Sequence, residues 1–465
     1  MFEIIIVYLF FSVCIGLYAA KKVSTNNDFV TAGRNLPFVF ILAMVFATWF
    51  GAETILGISA TFLEEGLHGL ASDPFGASFC LIVFGLFFAK KLYRMNLLTL
   101  GDFFKFHYNS RVELIISICI VLSYLGWVSA QITALGLVFN VLTDGSISRS
   151  LGMGLGAASI LVYTLAGGMW SIAITTFIQM IVIILGLILV TSEATTMAGG
   201  LTNVISIADN DGKFEWLPEL SAIGFVTWIG AFITMALGSI PQQDVFQRVN
   251  SSKSEKIAVW GTTAGGVVYL IFAFVPIVLA YSAVIIDPNL TSRLMEQDPQ
   301  LVLPSIVVEQ MPSWLQVIFF GSLLSVIMST ASGTLLAPSV IFSNNILKNL
   351  NSSLTDAQLL LLTRVTIFAF TIIVLLYSLS TNDSIHTMVE NAYRVTLAGA
   401  FVPLFAGLFW KRASNFGALL SIILGISTWL FLEIIKIDLI VEPQIIGLLT
   451  SFVGMILGSY LKPRH

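Results

Sequence analysis

Apolar runs of about 20 residues recur along the whole chain, and 20 residues is the length of α-helix that crosses a hydrocarbon core about 30 Å thick. About thirteen runs can be marked, near 2–20, 37–63, 76–91, 112–142, 148–166, 171–194, 221–242, 257–286, 315–344, 360–380, 395–410, 415–435 and 439–461. With 57% hydrophobic and only 10% charged residues, a water-soluble fold would expose a vast apolar surface. The chain therefore reads as an all-α integral membrane protein in a lipid bilayer, a single domain over 1–465. The longest connections, 195–220 and 287–314, are mixed in composition and hold no linker or low-complexity segment.

The first run follows Met1 directly and carries Glu3, no basic stretch and no small-residue cleavage site before Lys21, so it is expected to be a retained helix. Cys14, Cys80 and Cys119 all fall within apolar runs, which suits packing better than a disulfide or metal cluster. The net charge of −4 points to no nucleic-acid partner, and nothing marks an obligatory protein partner. Its distribution says more. Alternate connections gather most basic residues on one side, among them Lys21, Lys22, Arg34, Lys90, Arg94, Lys105, Arg248, Lys253, Lys411, Lys462 and Arg464. Opposite them stand Arg149, Lys213, Arg293, Arg394 and Lys436, so the positive-inside rule predicts a cell-membrane protein with its N-terminus outside and C-terminus cytoplasmic.

No GxxxxGK[ST], HExxH or CxxC pattern occurs, so an ATP-driven pump or zinc protease lacks its minimum parts. No nucleophile–base pair suggests any enzyme, and energy for transport would come from an ion gradient. Two segments show how. In 37–63, Gly51 and Gly57 bracket Glu53 and Thr54, the pattern of a helix broken near mid-membrane, with freed carbonyls that can bind a cation. About five helices later, Gly238 and Pro241 interrupt "LGSIPQQDVFQR" at 237–248. Two breaks at that separation predict two inverted repeats. An acid at membrane depth is costly, so Glu53 is a counter-charge for a cationic solute, a proton-titrating group, or a structural acid bonded to neighbouring helices. Trp49 and Trp127, near mid-helix, suit a pocket. Gln131 and Gln179 are further polar candidates, and Gln243 and Asp244 are either pocket residues or ordinary polar residues at a helix end.

The stretches "DFVTAGRNLP" (28–37), "YTLAGGMWSIAITTFIQ" (163–179), "PQQDVFQRVNSSKS" (241–254), "VIMSTASGTLL" (326–336) and "LFWKRASNFGAL" (408–419) together resemble the sodium/solute symporter family. In local motifs the chain is most similar to the choline-transporter branch, through "ATW" at 47–49, "DPFG" at 73–76 and "LFFAK" at 86–90. The resemblance implies the leucine-transporter-like fold: a five-plus-five inverted-repeat core at 37–410 with broken first and sixth core helices, an extra helix and loop at 1–36, and two C-terminal helices at 411–465. It implies a sodium ion held by carbonyls of Ala47, Phe50 and Val326 and hydroxyls of Ser329 and Thr330, and aromatic contacts to the solute from Trp49 and Trp127; with the polar residues read above, a small-molecule solute is expected near Trp49, Glu53, Thr54, Trp127, Gln131, Gln242 and Gln243. Thr176 stands where two-sodium relatives have an aspartate, which implies one coupling ion. Ala77 and Gln242 replace two aromatic positions of the choline branch, which argues against choline as the solute. The expected function is sodium-coupled import of a small organic solute by alternating access. The alternatives are a proton-coupled symporter resting on Glu53 and a solute sensor, for which "LKPRH" at 461–465 leads to no output module.

Overall fold

A computed structural model describes residues 2–218, 221–350, 353–436 and 440–463. Ten of its helices are long and apolar enough to cross a membrane, and two pairs, bent by 52° and 43° at short breaks, bring the number to twelve. The helix Arg149–Met197 has 49 residues, which at 1.5 Å per residue would be about 74 Å long, more than twice the hydrocarbon thickness. It is interrupted at Gly168, whose φ of 48° and ψ of −130° leave the helical region. Counted as two crossings, it yields the thirteen expected.

In chain order the crossings are α1 (Phe2–Ala19), α2a and α2b (Phe38–Trp49 and Glu53–Glu65), α3 (Leu67–Arg94), α4 (Ser110–Leu142), and α5 and α6 (149–167 and 169–197). Then come α7a and α7b (Ala222–Gly238 and Gln243–Ser251), α8 (Glu255–Ile286), α9 (Ser313–Leu350), α10 (Asp356–Ser380), α11 (Ile385–Phe409), α12 (Asn415–Ile435) and α13 (Pro443–Leu461). Polar residues at the ends set these boundaries. Asn109 caps α4 by accepting from the amides of Arg111 and Val112, both at 3.0 Å, Ser254 caps α8, and Thr355 with Gln358 forms a capping box at α10.

Sequence and structure part at several ends: α3 begins at Leu67 rather than 76 and α7b runs to Ser251 rather than 242, and two further cases have a clear cause. The run expected at 395–410 begins ten residues earlier, at Ile385, because "IHTMVENAYR" lines an interior cavity and is too polar to register as a span. The run expected to stop at 344 continues to Leu350 through a π-helical turn, Phe342–Leu347.

Burial separates a core from its periphery. The most apolar stretch of α9 is 78% buried, against 28% for α1 and 22% for α12, so α9 runs through the middle and the others face lipid. Packing in a bilayer gains little from hydrophobicity and relies on close approach. Between α12 and α13 a Cβ on Gly458 would lie 2.7 Å from the Cα of Gly417, so only glycines allow this contact.

The connections sort onto two faces. Arg34 donates to the Tyr93 carbonyl at 3.0 Å, Arg94 and Lys90 pair with Glu255 at 2.6 and 3.4 Å, and Lys91 reaches the Leu408 carbonyl at 3.1 Å, all on one basic face. On the other face Arg149 pairs with Asp298 at 3.1 Å, and Lys213 donates to the Leu63 carbonyl at 2.6 Å. Arg248 departs from the expected grouping: it lies wholly buried in α7b rather than in a connection. Arg464 lies outside the described residues.

Candidate functional site

The break in α2 divides the interior in two. On one side the Ala47 carbonyl accepts hydrogen bonds from Ser329 Oγ at 2.7 Å and Thr330 Oγ1 at 3.3 Å, and Ser329 Oγ also lies 2.9 Å from the Val326 carbonyl. Four oxygens from α2a and α9 thus converge in one fully buried cluster. Phe50 stands at the break itself, with φ −82° and ψ 75°, its ring against Phe46 and Tyr269. All these donors are neutral oxygens whose hydroxyl hydrogens can rotate away, a set that suits a hard monovalent cation.

On the other side four rings meet: Trp49 and Trp127 at 5.4 Å, Trp127 and Tyr393 at 5.7 Å, Trp49 and Tyr393 at 6.2 Å, and Tyr124 and Trp127 at 6.0 Å. Each indole N–H is bound to a carboxylate. Trp127 Nε1 donates to Glu53 Oε1 at 2.8 Å, and Trp49 Nε1 to Asp244 Oδ2 at 3.1 Å. Gln131 ties the break together, donating to Glu53 Oε2 at 2.6 Å and accepting from the Ala52 amide at 3.0 Å. Asp244 also accepts from Tyr124 at 2.6 Å and faces Arg248 Nη1 at 3.7 Å. Arg248 in turn donates to the Asp244 carbonyl and to Thr48 Oγ1, each at 2.6 Å. A third buried acid, Asp73, accepts from Tyr269, whose hydroxyl lies 3.2 Å from Thr54 Oγ1.

Glycines make these approaches possible. A Cβ on Gly51 would lie 2.2 Å from Glu53 Oε2, and one on Gly126 would lie 2.4 Å from the Met388 carbonyl. The first lets Glu53 fold back over the break, and the second lets α4 bring Trp127 against α11.

Of the residues the sequence singles out, Trp49, Glu53, Thr54, Trp127 and Gln131 share this centre. Gln242 flanks it, donating to Ser123 at 3.0 Å and Thr396 at 3.4 Å. Gln243 lies apart: it accepts from the Leu100 amide at 2.8 Å, in the connection on the basic face. Gln179 is buried in α6, and neither of its amide atoms has a protein partner. Asp244, in the first turn of α7b, joins the centre rather than standing as an ordinary polar residue at a helix end. Sequence reasoning missed Arg248, Tyr124, Tyr393, Asp73 and Tyr269; the signals for Asp73 and Arg248 were charges beside or within apolar runs, while the tyrosines carried none.

Above α2b a cavity of about 410 Å³ opens on the face opposite the basic one, with Gly57, Glu64, Glu65, His386, Glu390 and Glu442 in its wall. Gly57 is one turn beyond Glu53. The basic face is closed: every residue of α7b is buried, and backbone bonds from Leu36 to Ser251 and from Lys253 to Leu36, at 3.0 and 2.9 Å, seal it beside α2a.

The family model "Sodium:solute symporter family" matches residues 29–425. The chain belongs to that family. Such symporters are membrane transporters that move a solute with sodium, and not enzymes. Among curated relatives, a high-affinity choline transporter of Torpedo marmorata is 26% identical over 90% of this chain and 74% of its own. An osmoregulated proline transporter of Bacillus subtilis is 25% identical over 99% and 95%, and a sodium/glucose cotransporter of Vibrio parahaemolyticus 22% over 93% and 85%. A sodium-coupled sialic acid symporter in a substrate-bound outward-open state shares the symporter's fold, with TM-score 0.83 at 18% identity over 100% and 98% of the two chains. MhsT in complex with L-phenylalanine aligns at TM-score 0.58 over 91% and 98%, with 16% identity.

Proposed function

We propose that this symporter imports one small organic solute with one sodium ion, the ion held by Ala47, Phe50, Val326, Ser329 and Thr330 and the solute by the ring cluster with Glu53, Thr54, Gln131 and Gln242. The convergence of the Ser329 and Thr330 hydroxyls on the carbonyl at the α2 break carries this reading. An ion there joins α2a to α9 and so favours the state closed on the basic face, in which the solute pocket is formed. Inward opening parts the two helices and releases both. The acidic cavity is the outer mouth and the basic face is cytoplasmic, as the positive-inside rule requires. One sodium crossing 100 mV with a tenfold gradient supplies about 3.7 kcal/mol, enough to accumulate a neutral solute on the order of 500-fold.

The test is Ser329→Ala with Thr330→Ala in proteoliposomes. Loss of two oxygen ligands should raise the sodium concentration for half-maximal transport by about tenfold or more, while solute binding at saturating sodium changes much less. Unchanged sodium activation would move the ion elsewhere, and transport driven by a proton gradient without sodium would make Glu53 the coupling group.

A further inference from the structure

We propose that the solute is a small organic cation bearing N–H hydrogens, a protonated primary or secondary amine, and that Glu53 accepts them. This rests on the ring cluster being the transport site.

Charge balance is the first support. Among the described residues, the fully buried ionisable groups around the broken helices are the acids Glu53, Asp73 and Asp244 and the single cation Arg248. Arg248 is committed to Asp244 and Thr48. Glu113, the other buried acid, lies near the basic face beside Lys105, at 3.5 Å. Glu53 and Asp73 have no cationic side chain against them among the described residues. A carboxylate in such a site either meets an opposite charge or takes up a proton. Sodium supplies one positive charge, and a monocationic solute supplies the second. With a neutral or zwitterionic solute one of these carboxylates would have to take up a proton, and with an anion both would.

Acceptor geometry is the second. Each oxygen of Glu53 accepts one bond, from Trp127 and from Gln131, and a carboxylate oxygen can accept two. The remaining lone pairs need N–H or O–H donors, which a trimethylammonium nitrogen does not have. The indole faces of Trp49 and Trp127 add attraction for any cation, but the carboxylates discriminate between an amine and its methylated form. The third support is the cavity leading inward, whose wall has Glu64, Glu65, Glu390 and Glu442 against His386, a field that draws cations toward Gly57.

The experiment uses the full chain in proteoliposomes, with solute-driven uptake of labelled sodium as readout. Matched pairs are compared, each a primary amine and its N-trimethyl form: ethanolamine with choline, butylamine and benzylamine with theirs, and proline and glucose besides. The amine of a transported pair should half-saturate at a concentration lower by about tenfold or more, because hydrogen bonds to a buried charge are strong. Glu53→Gln, which can still accept from Trp127, should erase that preference, and Glu53→Asp should keep it. A preference for the quaternary member, or sodium uptake driven by proline or glucose and by no amine, overturns the proposal and leaves sodium-coupled import standing. Amine uptake that ignores sodium leaves the solute class standing and overturns the coupling.

Discussion

The two sides of the α2 break are built from opposite materials. Toward α9 stand carbonyls and hydroxyls without a charged side chain among the four converging oxygens; toward α4, α7b and α11 stand carboxylates, a guanidinium and four aromatic rings. A small hard ion is chosen by the number and placement of neutral oxygens, which cost little to bury when hydrogen-bonded to one another. An organic cation is too large for such a shell and is recognised by charge and by ring faces. Under the proposed reading one broken helix serves both, because its Ala47 carbonyl turns toward α9 and its Glu53 side chain toward α4.

The comparison breaks most visibly at Arg248. Arg248→Met leaves Asp244 buried without its cation, and removing one member of a buried pair costs about 3–5 kcal/mol. The variant should melt many degrees lower in detergent and lose transport, while Asp244→Asn with Arg248→Met should recover much of the melting temperature. A single variant as stable as the wild type would show that Asp244 does not depend on this charge.

A smaller effect is expected where the two sides touch. A Cβ on Gly333, in α9, would lie 2.4 Å from Arg248 Nη2 and 3.2 Å from Thr48 Cγ2. Gly333→Ala should raise the half-saturating concentrations of both sodium and solute by about 3- to 10-fold, roughly 1 kcal/mol in each. A change confined to sodium would mean that the sides are insulated. The smallest effect concerns stoichiometry. Paired isotope fluxes should give one sodium per solute, because Thr176 offers only a hydroxyl, one without a protein partner in the structure. A ratio of two would extend the neutral-oxygen side to Thr176 and Ser332.

The crossings were legible because lipid imposes a length and a composition on every one of them. The α2 break could be read from Gly51, Gly57 and Glu53, and the oxygen cluster between α2a and α9 from the resemblance carried by "MSTASG". Partners across the interior could not be read. Nothing local to Asp244 says whether it ends a helix or meets Trp49, 195 positions earlier, and Tyr393 looks like one more aromatic in an amphipathic stretch. Arg248 was misplaced for a definite reason: hydropathy treats a charge near the end of an apolar run as solvated, and here the neutralising acid is one turn away on the same helix. The polar start of α11 was missed because it faces a water-accessible cavity rather than lipid.

The helix α7b, "QDVFQRVNS", is more polar than its surroundings warrant. Gln243 Nε2, Gln247 Oε1 and both amide atoms of Asn250 are buried on it without protein partners, and each such atom costs about 1–3 kcal/mol. Opening of the basic side to water would give those atoms partners, so their exposure offsets part of what opening costs. Under the proposed reading, a sodium ion at the α2 break opposes that opening, and its departure leaves the polar face of α7b free to take up water.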